Sequence, residues 1–424
     1  MLSNFKDNLT KSLERQRKLL DASIILTPVD SIPLFFDEQH ITGFLHGLYI
    51  SDKLKTEEQK KASIIQFAGR DRATQDLNLI HKKLAGALGA ADGSLRLLSG
   101  LHAHIAIFMS LASIGDSVLL LPELAGGHFA TRGILQRLGL RVIEMAIDFD
   151  RLCIDSAATL EIVRREQPKF VFIERSEGLR YEDFCFIGQL QGPVKIFDAS
   201  QYLAQIICGK YENPFNWGFD LLIFSVHKSF PGPQKAGVVS RESNATWHTL
   251  LRGLSELVSS AHVENSYRVG FILGKEQELH NYTSRLLETA IDLEECLLAN
   301  GVPIFLRSQQ GQSYWPPTHH LWLPLESQET AFNLYHALDK ARIHTNYRVL
   351  PYKLGWGLRM GTTAATIRGL SKQVIPDLAQ IIADIFKRGY SSKVRHRVRE
   401  LSERMALQAM TKWPYHYRDG DQLQ

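Results

Sequence analysis

The sequence predicts an α/β protein built on a mostly parallel sheet covered on both faces, and three observations carry that prediction. Between about Ala85 and Gly237, short β-rich runs alternate with stretches of helical periodicity, the pattern of successive βαβ units. The runs are apolar almost without interruption, as strands buried on both sides must be. The chain, at 424 residues, is long enough for a large domain and a smaller one.

Taken in order, the opening segment MLSNFKDNLTKSLERQRKLLDAS alternates charged and apolar residues at helical spacing, so it predicts an amphipathic helix suited to packing on a partner subunit. It lacks the unbroken apolar core and small-residue cleavage site of a secretory signal. The most apolar stretch, Leu97 to Leu121, is interrupted by Ser99, His102, His104, Ser110, Ser113, Gly115 and Asp116. It reads as a buried helix followed by a strand rather than a membrane span. The strands are SVLLL (Ser117 to Leu121), RVIEM (Arg141 to Met145), KFVFIE (Lys169 to Glu174), VKIFD (Val194 to Asp198), DLLIFS (Asp220 to Ser225) and AGVVS (Ala236 to Ser240). A long helical region from about Val263 to Asn300 follows, then shorter elements to about Phe386. The segment Lys387 to Arg404 is a basic, solvated helix with Val394, Val398 and Leu401 on one face. These elements divide the chain into an N-terminal helical arm (1–45), a large domain (46–270), and a connecting helix with a small C-terminal domain (271–424).

Charge and cysteines narrow the function classes. Lys and Arg total 49 against 45 Asp and Glu, so no basic or acidic excess points to nucleic acid or a membrane surface. Cys153, Cys185, Cys208 and Cys296 stand far apart, with no metal-ligand spacing, and read as reduced thiols of a cytoplasmic protein.

Ligands of open α/β sheets bind beyond the carboxyl ends of the strands, so the residues just past each strand are the candidates. VKIF ends in Asp198, and DLLIFS runs into Val226, His227 and Lys228, about thirty residues later, the length of one βαβ-like unit. Alone, such an Asp caps a turn and such a Lys is solvated. Together they supply an amine for an aldehyde carbon and an anion for a pyridine nitrogen, the two demands of pyridoxal phosphate. Ser99 and Gly100 open a predicted helix, whose free N–H groups favour a phosphate as well as an ordinary cap. In GGHFATRG, Gly126 and Gly127 allow a sharp turn that presents His128, either to the face of a ring or to the core. Ser176 follows KFVFIE within reach of a phenolic oxygen.

These segments, in this order, resemble serine hydroxymethyltransferase and its relatives, the L-threonine transaldolases and threonine aldolases, over about Leu26 to Gly369. SVHKSFPGPQKAG (Ser225 to Gly237) is similar to the family's Schiff-base segment, GGHFATRG to its ring-stacking loop, FDAS (Phe197 to Ser200) to its pyridine-nitrogen aspartate, and GLRMGTTAATIRG (Gly357 to Gly369) to the segment with the carboxylate-binding arginine. The resemblance implies pyridoxal-phosphate fold type I, the aspartate-aminotransferase-like fold, with a seven-stranded sheet and a smaller C-terminal α+β domain. It also implies a homodimer with active sites at the interface. By the same resemblance Lys228 is the Schiff-base lysine, Asp198 the pyridinium partner and His128 the stacking residue. Ser99, Gly100 and His227 hold phosphate, Ser176 the ring hydroxyl, and Arg359 the substrate carboxylate; without the resemblance Arg359 is a surface ion pair. PGPQ after the lysine, and Thr345 with Asn346, tilt the likeness toward the transaldolases.

Departures concentrate on substrate contacts. Gln201 stands where the family has a histidine and cannot shuttle a proton. Asp30 in TPVDSIP replaces a longer carboxylate, Leu101 replaces a phosphate-cup serine, and Ser259, Ser260 and Ala261 replace a glycine pair contributed across the dimer. The glycine- and tyrosine-rich stretch expected near Gln66 to Asp76 is poorly represented. The implied activity is cleavage or formation of the Cα–Cβ bond of a β-hydroxy-α-amino acid through a glycine quinonoid, with an amino-acid substrate and an aldehyde acceptor. The alternatives are folate-dependent serine hydroxymethyl transfer, another Cα reaction (decarboxylation, oxidation, racemisation or transamination), or a non-enzymatic dimerisation module.

Overall fold

The computed structural model describes residues 2–34, 45, 47–50, 54–260 and 262–410. Residues 35–44 of the expected arm, and Ala261, lie outside them. The chain divides into a sheet unit, Ser31–Thr283 with Gln310–Pro316, and a terminal unit, Met1–Asp30, Ser284–Gln309 and Pro317–Gln424.

The sheet unit holds seven strands in the order Asp92–Ser94, Ala236–Ser240, Leu221–Ser225, Val194–Asp198, Phe170–Ile173, Ser117–Leu120 and Arg141–Glu144. The last five are mutually parallel, and Ala236–Ser240 runs antiparallel to both of its neighbours. Alternation along the strands explains their near-continuous hydrophobicity. Val118, Leu120, Phe170, Phe172, Ile196 and Ile223 share a core with the helices Gly100–Leu111 and Ala245–Leu257. Leu119, Val171, Ile173, Phe197 and Leu222, which alternate with them, are also fully buried. Every strand expected from the sequence is present within a residue of its ends. The first strand, Asp92–Ser94, is an addition: three residues, none of them apolar, carry no hydrophobic signal.

Two helical expectations are corrected. The region Val263 to Asn300 is two helices, Val263–Leu273 and Glu276–Ala299, because Gly274, a poor helix former, closes the first of them. The basic segment Lys387 to Arg404 is likewise divided. One helix, Ile375–Arg388, ends at Gly389 with φ at 74°, and another, Ser392–Ala406, starts where the Ser391 hydroxyl accepts from Val394 N–H. Val394, Val398 and Leu401 are buried on one face of the second helix.

In the terminal unit the antiparallel strands His320–Pro324, Gly355–Gly361 and Asn346–Leu350 form a sheet in that order. They share a core with the helices Gln328–Lys340 and Ile375–Arg388. The N-terminal segment, set apart as an arm in the sequence, belongs to this unit: Ile24–Ile25 pairs in parallel with Ile343–His344. Its helix, Leu2–Asp21, ends against Arg368. Nη1 of Arg368 donates to the carbonyls of Leu20 (2.6 Å) and Ser23 (2.7 Å), and Nη2 to that of Asp21 (2.8 Å). Those of Leu20 and Asp21 are carbonyls that a helix end leaves without intrahelical donors. Among the described residues, no helix is long and apolar enough to cross a membrane.

Candidate active site

At the carboxyl edge of the parallel strands, a cavity of about 190 Å³ gathers Ser99, Gly100, His128, Ser176, Asp198, Gln201, His227 and Lys228, the sequence-derived candidates of the sheet unit. Each arrives from the end of a strand or the start of a helix, where the chain must turn and side chains emerge from the sheet.

Asp198 is the last residue of its strand and is fixed from two sides. Its Oδ1 accepts the Ser200 N–H at 2.7 Å, and its Oδ2 lies 2.8 Å from His104 Nε2. Burial works to raise its pKa, but the hydrogen bond from His104, the charge of Lys228 and the Ser200 bond outweigh it and hold the carboxyl below its usual range. Asp198 is therefore an anion at neutral pH.

Lys228 is tied to that carboxylate through the backbone. Ser225 N–H donates to Ser200 Oγ (2.8 Å), and the two hydroxyls lie 3.2 Å apart, locking the adjacent strand ends together. Past Lys228 the chain folds back: Gly232 N–H donates to Val226 O at 2.8 Å and the Tyr282 hydroxyl to Ser229 O at 3.0 Å. The lysine thus stands on a closed loop.

Ser99 caps the helix Gly100–Leu111, its hydroxyl accepting from His102 N–H at 3.2 Å, so the capping role is realised while the helix start lines the cavity. Leu101, 40% exposed, also lines it. The turn before His128 depends on glycine. Gly126 has φ of 89°, and a β-carbon there would stand 2.3 Å from the Glu177 carbonyl oxygen. His128 Nδ1 accepts from Ala130 N–H at 3.3 Å, and its ring stacks on Phe129 at 4.9 Å. Ser176 is held by its N–H on Gly126 O at 2.8 Å. Gln201 is buried.

Sequence reasoning missed several members of this site. His104, counted only as an interruption of an apolar helix, bonds Asp198 through one nitrogen and Thr131 Oγ1 (3.0 Å) through the other. Glu174 Oε2 lies 2.5 Å from Thr131 Oγ1, within hydrogen-bond reach. Arg175 is buried against Glu182 and the Ala125 carbonyl. A polar residue at the end of a strand, as Glu174 is, was the available signal; the pairing itself is tertiary.

Arg359 and Asp30 belong to the terminal unit. Arg359 sits mid-strand opposite Asn346, buried, with Nε donating to Asn346 Oδ1 at 3.0 Å, so it is no surface ion pair. Nearby His319 is pushed down to about 3, by burial first and then by the Arg359 and Arg307 charges. Asp30 is exposed, and its carbonyl accepts the Thr363 hydroxyl at 2.6 Å.

No protein-family model matches the chain. A serine hydroxymethyltransferase of Pyrobaculum arsenaticum is 27% identical over 382 residues, 88% of each chain. An L-threonine:uridine-5'-aldehyde transaldolase of a Streptomyces species is 27% identical over 313 residues, 72% of each. Among solved structures, the L-threonine transaldolase of Pseudomonas fluorescens, in its internal aldimine state, superposes with a TM-score of 0.87 at 21% identity, covering 97% of this chain and 94% of that one. By sequence the chain is similar to serine hydroxymethyltransferases and threonine transaldolases, and its fold is that of the transaldolase structure, fold type I of the pyridoxal-phosphate enzymes.

Proposed function

We propose that this protein is a pyridoxal-phosphate enzyme that breaks and forms the Cα–Cβ bond of a β-hydroxy-α-amino acid of the L-threonine kind, passing the glycine fragment to an aldehyde acceptor. The observation that carries it is the convergence of Lys228, anionic Asp198 and a helix start on one cavity. That donor set fits the cofactor. The amine meets an aldehyde, the buried anion suits a protonated pyridine nitrogen, and the helix Gly100–Leu111 begins with a glycine where a phosphate needs close backbone approach.

When bound, pyridoxal phosphate supplies an imine-forming aldehyde and an electron-withdrawing ring that spreads the charge left at Cα. Lys228 would hold the aldehyde and yield it to the substrate amine. Asp198 would keep the ring nitrogen protonated, His128 would cover the ring face, Ser176 would bind the ring hydroxyl, and Ser99, Gly100 and His227 would bind phosphate. Arg359 is the proposed fork for the substrate carboxylate, since two parallel N–H bonds fix which Cα bond stands across the ring. Gln201, donor and acceptor but no acid, would orient the substrate hydroxyl, and Asp30 is the proposed carboxylate for proton handling.

We further propose a homodimer in the cytoplasm. Phe5, Leu9 and Leu13 form an exposed apolar stripe at helical spacing on Leu2–Asp21, and all four cysteines are unpaired, as a reducing compartment requires. Light scattering of a Leu9→Glu, Leu13→Glu variant tests the dimer; an unchanged mass would exclude this face.

L-Threonine, supplied with an aromatic aldehyde, should yield acetaldehyde and a new β-hydroxy-α-amino acid, and Lys228→Ala should yield neither. A parent protein that releases no acetaldehyde would refute the reading. A second reading, serine hydroxymethyl transfer, is favoured by the similarity of the Pyrobaculum relative over 88% of both chains. Serine turnover that depends on added tetrahydrofolate would decide for it.

A further inference from the structure

We propose that Glu174, as the neutral acid, and Thr131 hold His104 in its neutral, Nε2-protonated form, so that Asp198 presents a full negative charge to the cofactor's ring nitrogen. This rests on the pyridoxal-phosphate reading above and adds three positioning residues to it.

The geometry is a single chain of hydrogen bonds drawn from four elements. Glu174 follows the strand Phe170–Ile173, Thr131 opens the helix Thr131–Arg137, His104 lies within the helix Gly100–Leu111, and Asp198 ends its strand. The links are 2.5 Å from Glu174 Oε2 to Thr131 Oγ1, 3.0 Å from Thr131 Oγ1 to His104 Nδ1, and 2.8 Å from His104 Nε2 to Asp198 Oδ2. Glu174, Thr131 and His104 are each at most 2% exposed, so bulk water does not complete their bonding. The direct approach of His104 Nδ1 to Glu174 Oε2 is 3.6 Å, too long for a hydrogen bond, so Thr131 is the necessary link.

Counting hydrogens leaves two arrangements once Asp198 is an anion accepting from His104 Nε2–H. In one, Glu174 O–H donates to Thr131 Oγ1, whose hydroxyl donates to a bare His104 Nδ1. In the other, an imidazolium donates through Nδ1–H to Thr131, whose hydroxyl donates to a Glu174 carboxylate. The net charge is the same. The first buries one charge and the second three, with both carboxylates ionised, and separated buried charges are costly.

The surroundings favour the first. Burial, then the Asp198 charge, push the Glu174 carboxyl well above its usual range, against the Thr131 bond, the His128 N–H and the more weakly opposing charge of Lys228. Arg175, next in the chain, directs its guanidinium to Glu182 and Ala125 O. The His128 N–H donates to Glu174 Oε1 at 3.2 Å, which suits the carbonyl oxygen of an acid whose hydroxyl is Oε2. A neutral His104 then orients Asp198 without cancelling its charge, whereas an imidazolium would compete with the ring nitrogen for it.

Glutamine reproduces the acid in this scheme, accepting through Oε1 and donating through Nε2, but it cannot replace a carboxylate. Glu174→Gln is therefore expected to bind pyridoxal phosphate within about threefold of the parent, and Thr131→Val roughly tenfold more weakly, with Thr131→Ser restoring it. Independently of loading, ¹⁵N-histidine spectra of the cofactor-free protein, assigned by His104→Asn, should show His104 neutral and protonated at Nε2, unchanged in Glu174→Gln and shifted at Nδ1 in Thr131→Val. An imidazolium in the parent at neutral pH, or a Glu174→Gln variant as impaired as Thr131→Val, would overturn the proposal. Should the parent bind no pyridoxal phosphate, the functional reading fails, and the imidazole spectrum alone then decides the state of the chain.

Discussion

Gly100 approaches Ser225 so closely that a β-carbon on it would stand 2.5 Å from the Ser225 hydroxyl oxygen. That hydroxyl cannot simply swing away, because Ser225 is buried and bonded to Ser200, which in turn orients Asp198. Two effects therefore oppose each other in Gly100→Ala. Alanine favours a helix by roughly 0.5–1 kcal/mol, while overpacking a filled site costs about 1–3 kcal/mol. The steric cost wins, so the variant is expected to melt earlier than the parent and to bind pyridoxal phosphate more weakly. Thermal unfolding and a cofactor titration check both; a melting point equal to or above the parent's would show that the strand ends yield freely.

Asp198→Asn removes the buried anion that the site would offer to the ring nitrogen. Asparagine retains an oxygen for the Ser200 N–H but offers His104 Nε2–H a competing donor. Loss of a charge-assisted hydrogen bond to the ring nitrogen, worth about 1.5–3 kcal/mol, corresponds to roughly 10–100-fold weaker cofactor binding. Turnover should fall by more than binding, because the ring nitrogen's proton matters most when charge develops at Cα. Equilibrium dialysis with pyridoxal phosphate, set beside acetaldehyde release at saturating cofactor, separates the two.

What the sequence revealed, and what it hid, follows from where each signal resides. The five parallel strands are buried on both faces, so their apolar runs stood out, and the polar residues that punctuate them, Asp198 and Lys228, stood out with them. Asp92–Ser94 was invisible because an edge strand of three polar and small residues has neither run nor alternation. His104 was masked by its apolar helix. Nothing local distinguishes a histidine bonded to Asp198 from one satisfied in a core, and the partners Thr131, Glu174 and Asp198 are brought together only by the order of the strands. The break at Gly274 was hidden for a different reason, since apolar periodicity continues on both sides of it.

Arg368 is expected to govern the N-terminal helix. Its guanidinium, half-buried, donates to the carbonyls of Leu20, Asp21 and Ser23, closing the end of Leu2–Asp21. Arg368→Ala removes three of these bonds at once, although Ser23 N–H still reaches Leu20 O and the Ser402 hydroxyl still reaches Asp21 O, and should cost roughly 1–3 kcal/mol. Arg368→Lys should recover part of that, since an ammonium lacks the planar fork that reaches several carbonyls at once. Urea unfolding gives the magnitude. Hydrogen exchange gives the location, with protection lost first across the helix Leu2–Asp21; uniform loss over the terminal unit would show that the arginine supports the core instead.

His319 sets the sign of an acid dependence. Burial, reinforced by the Arg359 and Arg307 charges, holds the folded imidazole neutral down to about pH 3, whereas in the unfolded chain it takes up a proton near its ordinary value of about 6.5. Between those values the unfolded state binds more protons, so stability falls as the pH is lowered, by up to about 1.4 kcal/mol per pH unit from this group. His344 and His102 are also shifted downward by burial and add to the trend with the same sign. His319→Gln should therefore lose less stability than the parent on acidification, by about 1.6 kcal/mol between pH 6.5 and 5. Urea midpoints at a series of pH values measure the difference; parallel curves for the two proteins would mean that the imidazole titrates alike in the folded and unfolded chains.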